Sequence, residues 1–154
     1  MRFITSGLAA ALLAGAAGIA SALADAGHFS AGVPGDPKRP ARTVTVLMHD
    51  DEGKMRFVPE RVAVKKGEQI RFVLENKGVL KHEFTLASAA DNRKHAAVMQ
   101  KHPGMEHDDA NAKSVDTGKR NEILWRFTKV GTFEFACLIP GHYEAGMHGA
   151  VTVK

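Results

Sequence analysis

From position 43 onward, apolar residues recur at alternate positions in short runs. Val44, Val46 and Met48 alternate with Thr43, Thr45 and Leu47. Val62 and Val64 stand beside Arg61 and Lys65, and Gly67 ends that run. Ile70, Phe72 and Leu74 alternate with Arg71 and Glu75 before a turn at Asn76, Lys77 and Gly78. Phe84 and Leu86 continue beyond His82. Ile123, Trp125 and Phe127 alternate with Glu122, Arg126 and Thr128; after Gly131, Phe133, Phe135 and Cys137 share one face, and Val151 and Val153 close the sequence. A period of two sends successive side chains to opposite faces of a strand, and turn residues between the runs fold them back on one another. The pattern predicts an all-β chain, an antiparallel β-sandwich with Trp125 and the phenylalanines in its core.

Two stretches depart from that period. Ala89, Ala90, Ala96, Ala97, Val98 and Met99 lie in a segment with few β-branched residues, which predicts one short inserted helix over 89–101, ended by Pro103 and Gly104. Residues 108–117 read as a loop. At the N-terminus, Arg2 precedes a weakly apolar run over 8–20, and Ala22, Leu23 and Ala24 fit a small-x-small cleavage site. Residues 1–24 are therefore expected to be a cleaved export signal, which places the protein in a periplasm or another extracytoplasmic compartment. Residues 25–42 read as a flexible or extended lead-in, rich in proline and glycine, and 43–154 as one domain.

The net charge of +4, from 21 basic against 17 acidic residues, is spread along the chain rather than clustered. Nucleic acid is therefore not an expected partner, nor is a membrane once the signal is removed. Weak steering of an acidic protein partner is compatible with the charge. A monomer is the expected state.

Chemistry concentrates near the C-terminus. Cys137, His142 and Met147 are separated by four residues each, and Cys137 is the only cysteine. A lone thiol in an oxidising compartment is exposed to oxidation unless it is buried and inert or bound to a metal. A thiol, an imidazole and a thioether in one loop are the soft donors that suit copper. A strand ending in Cys137 delivers sulfur to one end of the sandwich. Pro140 and Gly141 turn the chain so that His142 returns over it, and Gly146 bends it again to bring in Met147. A second imidazole completes two His, one Cys and a weak axial Met, the donor set of mononuclear blue copper. His82, at a strand start beyond the turn at 77–80, is the candidate; the plainer alternative is a surface histidine on an ordinary strand.

His95, Met99, His102, Met105 and His107 form a second cluster. On a helix, His95 and Met99 share a face, as do Met99 and His102. The sharper reading is a weaker second copper site near His95, Met99 and His102. The plainer one, preferred from the sequence, packs Met99 on the sandwich and turns the histidines to water. His28, the run His49, Asp50 and Asp51, and His148 read as exposed, with loose copper binding or, for His148, a part in partner docking as their alternatives.

These residues carry a resemblance. Over roughly 43–154, the chain resembles the cupredoxins of the plastocyanin/azurin family, anchored by His82-Glu83-Phe84 and by Cys137-x4-His142-x4-Met147 with Gly149 and a last strand. The resemblance implies a Greek-key β-sandwich holding one type 1 copper at one end, with His82, Cys137 and His142 as strong ligands and Met147 as the weak axial one. Met55-Arg56-Phe57-x-Pro59 and Met105-Glu106-His107-Asp108 make it look most like the periplasmic copper-tolerance cupredoxins of bacteria. Plastocyanins and azurins usually carry Asn after the first histidine and Ser or Thr after the cysteine. Here Glu83 and Leu138 stand there, so the link between ligand loops must be made differently, and a greener, more distorted site is expected. The resemblance implies copper tolerance, with electron transfer to or from a redox protein such as a c-type cytochrome as the alternative. An enzyme is not expected: the sequence has no paired His-x-His motifs for a multicopper oxidase, and one cysteine excludes a two-thiolate dinuclear centre.

Overall fold

The computed structural model describes residues 29–51 and 53–154. The expected export signal, the first part of the lead-in and His28 lie outside the described residues. Eleven strands and one helix follow in the order β1 (Val33–Pro34), β2 (Arg42–His49), β3 (Arg56–Val58), β4 (Arg61–Val64), β5 (Gln69–Asn76), β6 (His82–Ala87), α1 (Ala89–Met99), β7 (Asp108–Asp109), β8 (Ala112–Val115), β9 (Arg120–Arg126), β10 (Gly131–Ala136) and β11 (His148–Val153). They form two sheets, ordered β1-β9-β5-β2-β3 and β4-β11-β10-β6-β8-β7.

The alternating positions do face inward. Val46, Met48, Phe57, Phe72, Leu74, Phe84, Trp125 and Phe135 are fully buried between the sheets. Phe84 is the centre of this packing. Its ring stacks on Phe135 at 5.1 Å, meets Phe57 edge-on at 5.7 Å and lies 5.4 Å from Phe72. Such aromatic pairs add to the stabilisation from burial alone.

Three expectations need correction. The sandwich is mixed, not antiparallel: β2 runs parallel to β5, with Val44 opposite Phe72, and β4 runs parallel to β11, with Val62 opposite Val151. A period of two reports which face a side chain takes, and says nothing of strand direction. The described part of the lead-in is tied down. Val33 and Pro34 pair with Arg126 and Trp125, Gly35 N–H donates to Leu124 O at 2.8 Å, and Trp125 Nε1–H donates to Ala31 O at 3.3 Å. Phe29 packs edge-on against Trp125. A buried indole needs an acceptor, and this segment supplies it. Residues 108–117, expected as a loop, contain β7 and β8, which extend the second sheet beyond β6.

The helix is real and ends at Met99, slightly before the expected 101. Ser88 Oγ caps it by accepting the Asp91 N–H at 3.1 Å. Its Met99 packs on Ala136 and Leu138 of the second sheet's outer side. That cover explains why all six residues of β6 are buried, including Glu83 and Thr85, which point away from the sandwich interior.

Phe84→Ala is expected to lower the unfolding free energy by about 3–5 kcal/mol, the usual range for emptying a packed aromatic site. Val79→Ala, at a position 78% exposed, is expected to change it by less than about 0.5 kcal/mol. Denaturant titration of the metal-free proteins measures both.

Candidate metal centre

Strand directions bring five strand ends to one end of the sandwich. β10 runs antiparallel to both β6 and β11, with Ala136 opposite Thr85 and His148. The residue after β10 is Cys137, the first of β6 is His82, and Met147 immediately precedes β11. β2 and β5, being parallel, end there too, which places Asp50 and Asn76 at the same rim.

The loop from 137 to 147 is a stack of turns. His142 N–H donates to Ile139 O, Ala145 N–H to Gly141 O and Met147 N–H to His142 O, at 3.0–3.1 Å. Cys137 N–H then donates to Met147 O at 3.0 Å and closes the loop across its base. Gly141 and Gly146 adopt φ of 89° and 104°, a region costly for side-chain-bearing residues, so the two expected bends occur where glycine permits them.

The result is a buried three-donor cluster. One ligand-type atom from each of His82, Cys137 and His142 lies within 4.8 Å of the others. His82 Nδ1 is 3.3 Å from His142 Nδ1, which is 3.3 Å from Cys137 Sγ. Met147 is fully buried and lies near His82. All four sequence candidates are thus brought together.

The electrostatics suit a soft cation. Burial holds both imidazoles below their ordinary range, with His142 adding to the effect on His82, so both are neutral bases at neutral pH. Burial also pushes the Cys137 thiol up to about 12, while amide N–H groups of Glu83 and Ile139 pull the other way. The Glu83 N–H donates to Sγ at 3.3 Å. His82 Nε2 donates to the Asp50 carboxylate at 3.2 Å, which leaves the Nδ1 lone pair facing His142 and the sulfur. Converging lone pairs beside a thiol are poorly satisfied by one another. A thiophilic cation satisfies all of them and displaces the thiol proton. Hard cations prefer oxygen donors, so the set fits copper.

Two positioning residues were not legible in the sequence. Asp50, expected to be exposed with His49 and Asp51, has a side chain only 4% exposed. Its carboxylate accepts the Val79 N–H at 2.9 Å and the Leu80 N–H at 2.7 Å besides the His82 imidazole. Burial works to raise its pKa, but those donors outweigh it and hold the carboxyl below its usual range. Gly78 lets the turn approach this closely, since a Cβ there would sit 2.5 Å from the carboxylate. Asn76 Nδ2 donates to Leu80 O and Val115 O at 2.7 and 2.9 Å, clamping the same turn. Neither residue has a local sequence signal: each acts on partners across a turn or from another strand. His148 is exposed and stacks on Tyr143.

The second cluster assembles differently from expectation. His95 and Met99 meet His107, not His102: His95 Nε2 lies 3.0 Å from His107 Nε2, and Met99 Sδ 3.3 Å from the same atom. His102 and Met105 are exposed. The helix ends at Met99, so the helical spacing that put His102 on its face no longer applies.

Comparison with known proteins agrees with this geometry. The profile of the family described as copper binding proteins, plastocyanin/azurin family, matches residues 44–154. The chain is 50% identical over 123 residues to the copper-resistant cuproprotein CopI of Rubrivivax gelatinosus, covering 80% of this chain and 73% of that one. It is 38% identical to the copper-resistant cuproprotein CopI of Pseudomonas aeruginosa, covering 88% and 89%. Among solved structures, auracyanin A, a "blue" copper protein of Chloroflexus aurantiacus, superposes with a TM-score of 0.59 at 19% identity, over 73% of this chain and 99% of that one, a likeness of fold. With its sandwich, its buried sulfur and its paired imidazoles, the chain belongs to the plastocyanin/azurin family of copper-binding proteins.

Proposed function

We propose that this is an exported, non-enzymatic type 1 copper protein that serves copper tolerance, with His82, Cys137 and His142 as strong ligands and Met147 as the weak axial donor. The observation that carries the reading is a buried sulfur set between two neutral imidazoles, in a chain half identical to a protein named for copper resistance. Bound copper would supply a one-electron couple and a sulfur-to-metal charge-transfer colour. The chain's own part is to hold the donors in place. The hydrogen bond from Cys137 to Met147 fixes the loop, and Asp50 fixes the His82 ring and the turn before it. Export to a periplasm is supported by Arg2, the apolar run over 8–20 and the small residues at 22 and 24. A monomer is part of the same proposal.

The second reading is a soluble electron carrier, with a c-type cytochrome as a candidate partner. It is favoured by apolar exposure near the site: Val79 is 78% and Leu80 44% exposed in the turn that leads to His82, and Pro140 is exposed in the loop that carries His142. Such a surface suits brief docking of a redox partner over the metal.

Cys137→Ser is expected to abolish the visible charge-transfer absorption of the copper-loaded protein; colour that survives the change removes the thiolate from the site. In cells lacking the gene, growth on graded copper should be impaired, and wild type but not Cys137→Ser should restore it. Normal growth on copper with a slowed cytochrome reduction step would select the carrier instead. The replaced link at Glu83 and Leu138 is expected to give a strong charge-transfer band at higher energy than the blue one, read from the same spectrum.

Asp50→Ala is expected to weaken copper retention by about 10–100-fold, the usual effect of removing a partner that orients a metal-bound histidine. Chelator competition measures it. Asp50→Asn, which keeps an acceptor oxygen, should lie between that variant and wild type; retention equal to wild type in Asp50→Ala would strip Asp50 of its positioning role.

A further inference from the structure

The inserted helix and the strands beside it build a second group of soft donors on the outer side of β6. His107 is buried, and three groups crowd its two ring nitrogens. The Asp109 carboxylate lies 3.4 Å from Nδ1, while His95 Nε2 and Met99 Sδ lie 3.0 and 3.3 Å from Nε2. A neutral imidazole cannot serve all of them. With its proton on Nδ1 facing Asp109, Nε2 accepts from His95 but points its lone pair at the thioether. With its proton on Nε2, the other lone pair opposes the carboxylate. A cation at Nε2 removes the conflict, because Nδ1–H then donates to Asp109 while the His95 nitrogen and the Met99 sulfur, each within 3.3 Å of Nε2, can serve as further donors. A carboxylate on the far nitrogen of a ligating histidine is the usual second-layer support.

The surroundings are also short of partners. Among the described residues, the buried side-chain atoms without a hydrogen-bond partner are Glu83 Oε2, Thr85 Oγ1 and Asn92 Oδ1. Thr85 and Asn92 line the same surface cavity of about 280 Å³ as His95, His107 and Asp109, which gives a route from solvent. Glu83 lies close enough to His107 to feel its charge and is tied to it through Ser114, whose Oγ accepts the His107 N–H at 3.0 Å and donates to Glu83 Oε1 at 3.5 Å. Burial pushes the Glu83 carboxyl above its usual range, so the Asp109 carboxylate against His107 is the group that favours a positive occupant.

We propose that His95 Nε2, His107 Nε2 and Met99 Sδ form a second metal site, specific for Cu(I), reached through this cavity. Two imidazoles and a thioether, with no thiolate, are soft and neutral, a set suited to the monovalent ion over hard divalent cations. Three donors on a trigonal ion with bonds of about 2.0–2.3 Å stand about 3.5–3.7 Å apart. The 3.0 and 3.3 Å separations therefore need only a small opening, within reach of His95, which is half-buried on a helix near its C-terminal end. On binding, the proton on His95 Nε2 moves to the Nδ1 of the same ring, so both imidazoles stay neutral and each offers an Nε2 lone pair to the metal. The site lies apart from the Cys137 cluster and does not depend on that assignment. Its backbone link to it is short, since Glu83, which Ser114 ties to His107, donates its own N–H to Cys137 Sγ.

The test is anaerobic Cu(I) titration of the full-length protein against a chromogenic Cu(I) chelator. Wild type is expected to retain two equivalents, the His95→Gln/His107→Gln double variant one, and His102→Gln two. When oxidised, the double variant should keep the charge-transfer colour, which shows that the sandwich and its first site are intact. One equivalent in wild type that the double variant also retains, or two in the double variant, overturns the proposal. Met99→Leu preserves the packed volume and removes only the thioether. It should weaken the second equivalent by at least about tenfold and leave the first unchanged, and an unchanged second equivalent there also overturns the site. Failure of the Cys137 assignment would show instead as missing colour in wild type, with the equivalent held by His95 and His107 unaffected.

Discussion

Cys137 lies where β10 opens into a loop, and its sulfur is fully buried beside two neutral imidazoles. Burial drives the thiol toward staying protonated and drives His82 and His142 toward staying neutral. Each of those tendencies is unremarkable alone. Placed within 4.8 Å of one another, they make a buried set of one sulfur and two neutral nitrogens that a soft cation can bind. The rest of the structure serves that arrangement. The antiparallel run of β10 between β6 and β11 sets the three ligand-bearing segments side by side, and the Cys137 to Met147 hydrogen bond prevents the loop from relaxing away.

How much of this could be read from the chain differs by the range over which each feature acts. The strands from 43 onward and the core phenylalanines were legible because a period of two is local and burial follows it directly. The clustering of the candidate donors was legible because three of them share a loop whose turns are written in Pro140, Gly141 and Gly146. Strand direction was not, since nothing in Val44-x-Val46 or Val62-x-Val64 records whether the neighbouring strand runs up or down. Asp50 was misread for a related reason. An Asp-Asp pair after a strand looks like a solvated turn, and only the arrival of residues 78–80 from β5 buries the first carboxylate under two amide donors and an imidazole. The segment at 108–117 was misread because its strands are short and polar on the outward side; pairing with β6, not composition, makes them strands.

The helix shows the same limit at closer range. Helical spacing correctly placed His95 and Met99 on one face, and it would have placed His102 there had the helix continued. It stops at Met99, and the chain turns through 100–106 to return His107 to that face. A residue far along the chain thereby replaces one at the right helical interval. The plainer expectation for this cluster was half right: Met99 is packed against the sandwich, but His95 and His107 turn toward it and toward each other, not toward water.

The two departures from the usual family pattern are connected by this insertion. In plastocyanins and azurins, side chains following the first histidine and the cysteine join the ligand loops. Here the corresponding positions, Glu83 and Leu138, both face the added layer. Leu138 is buried with Met99 beneath the helix, and the Glu83 carboxylate reaches Ser114 and, through it, His107. What remains toward the sulfur at position 83 is the backbone N–H. The side chains that elsewhere tie one copper loop to another have thus been turned outward to support a helix and a histidine cluster. The first metal centre is held from its rim instead, by Asp50 and Asn76 acting on the turn before His82. A single change of layer, the helix laid over β6 and β10, accounts for both substitutions and for the burial of β6 on its two faces.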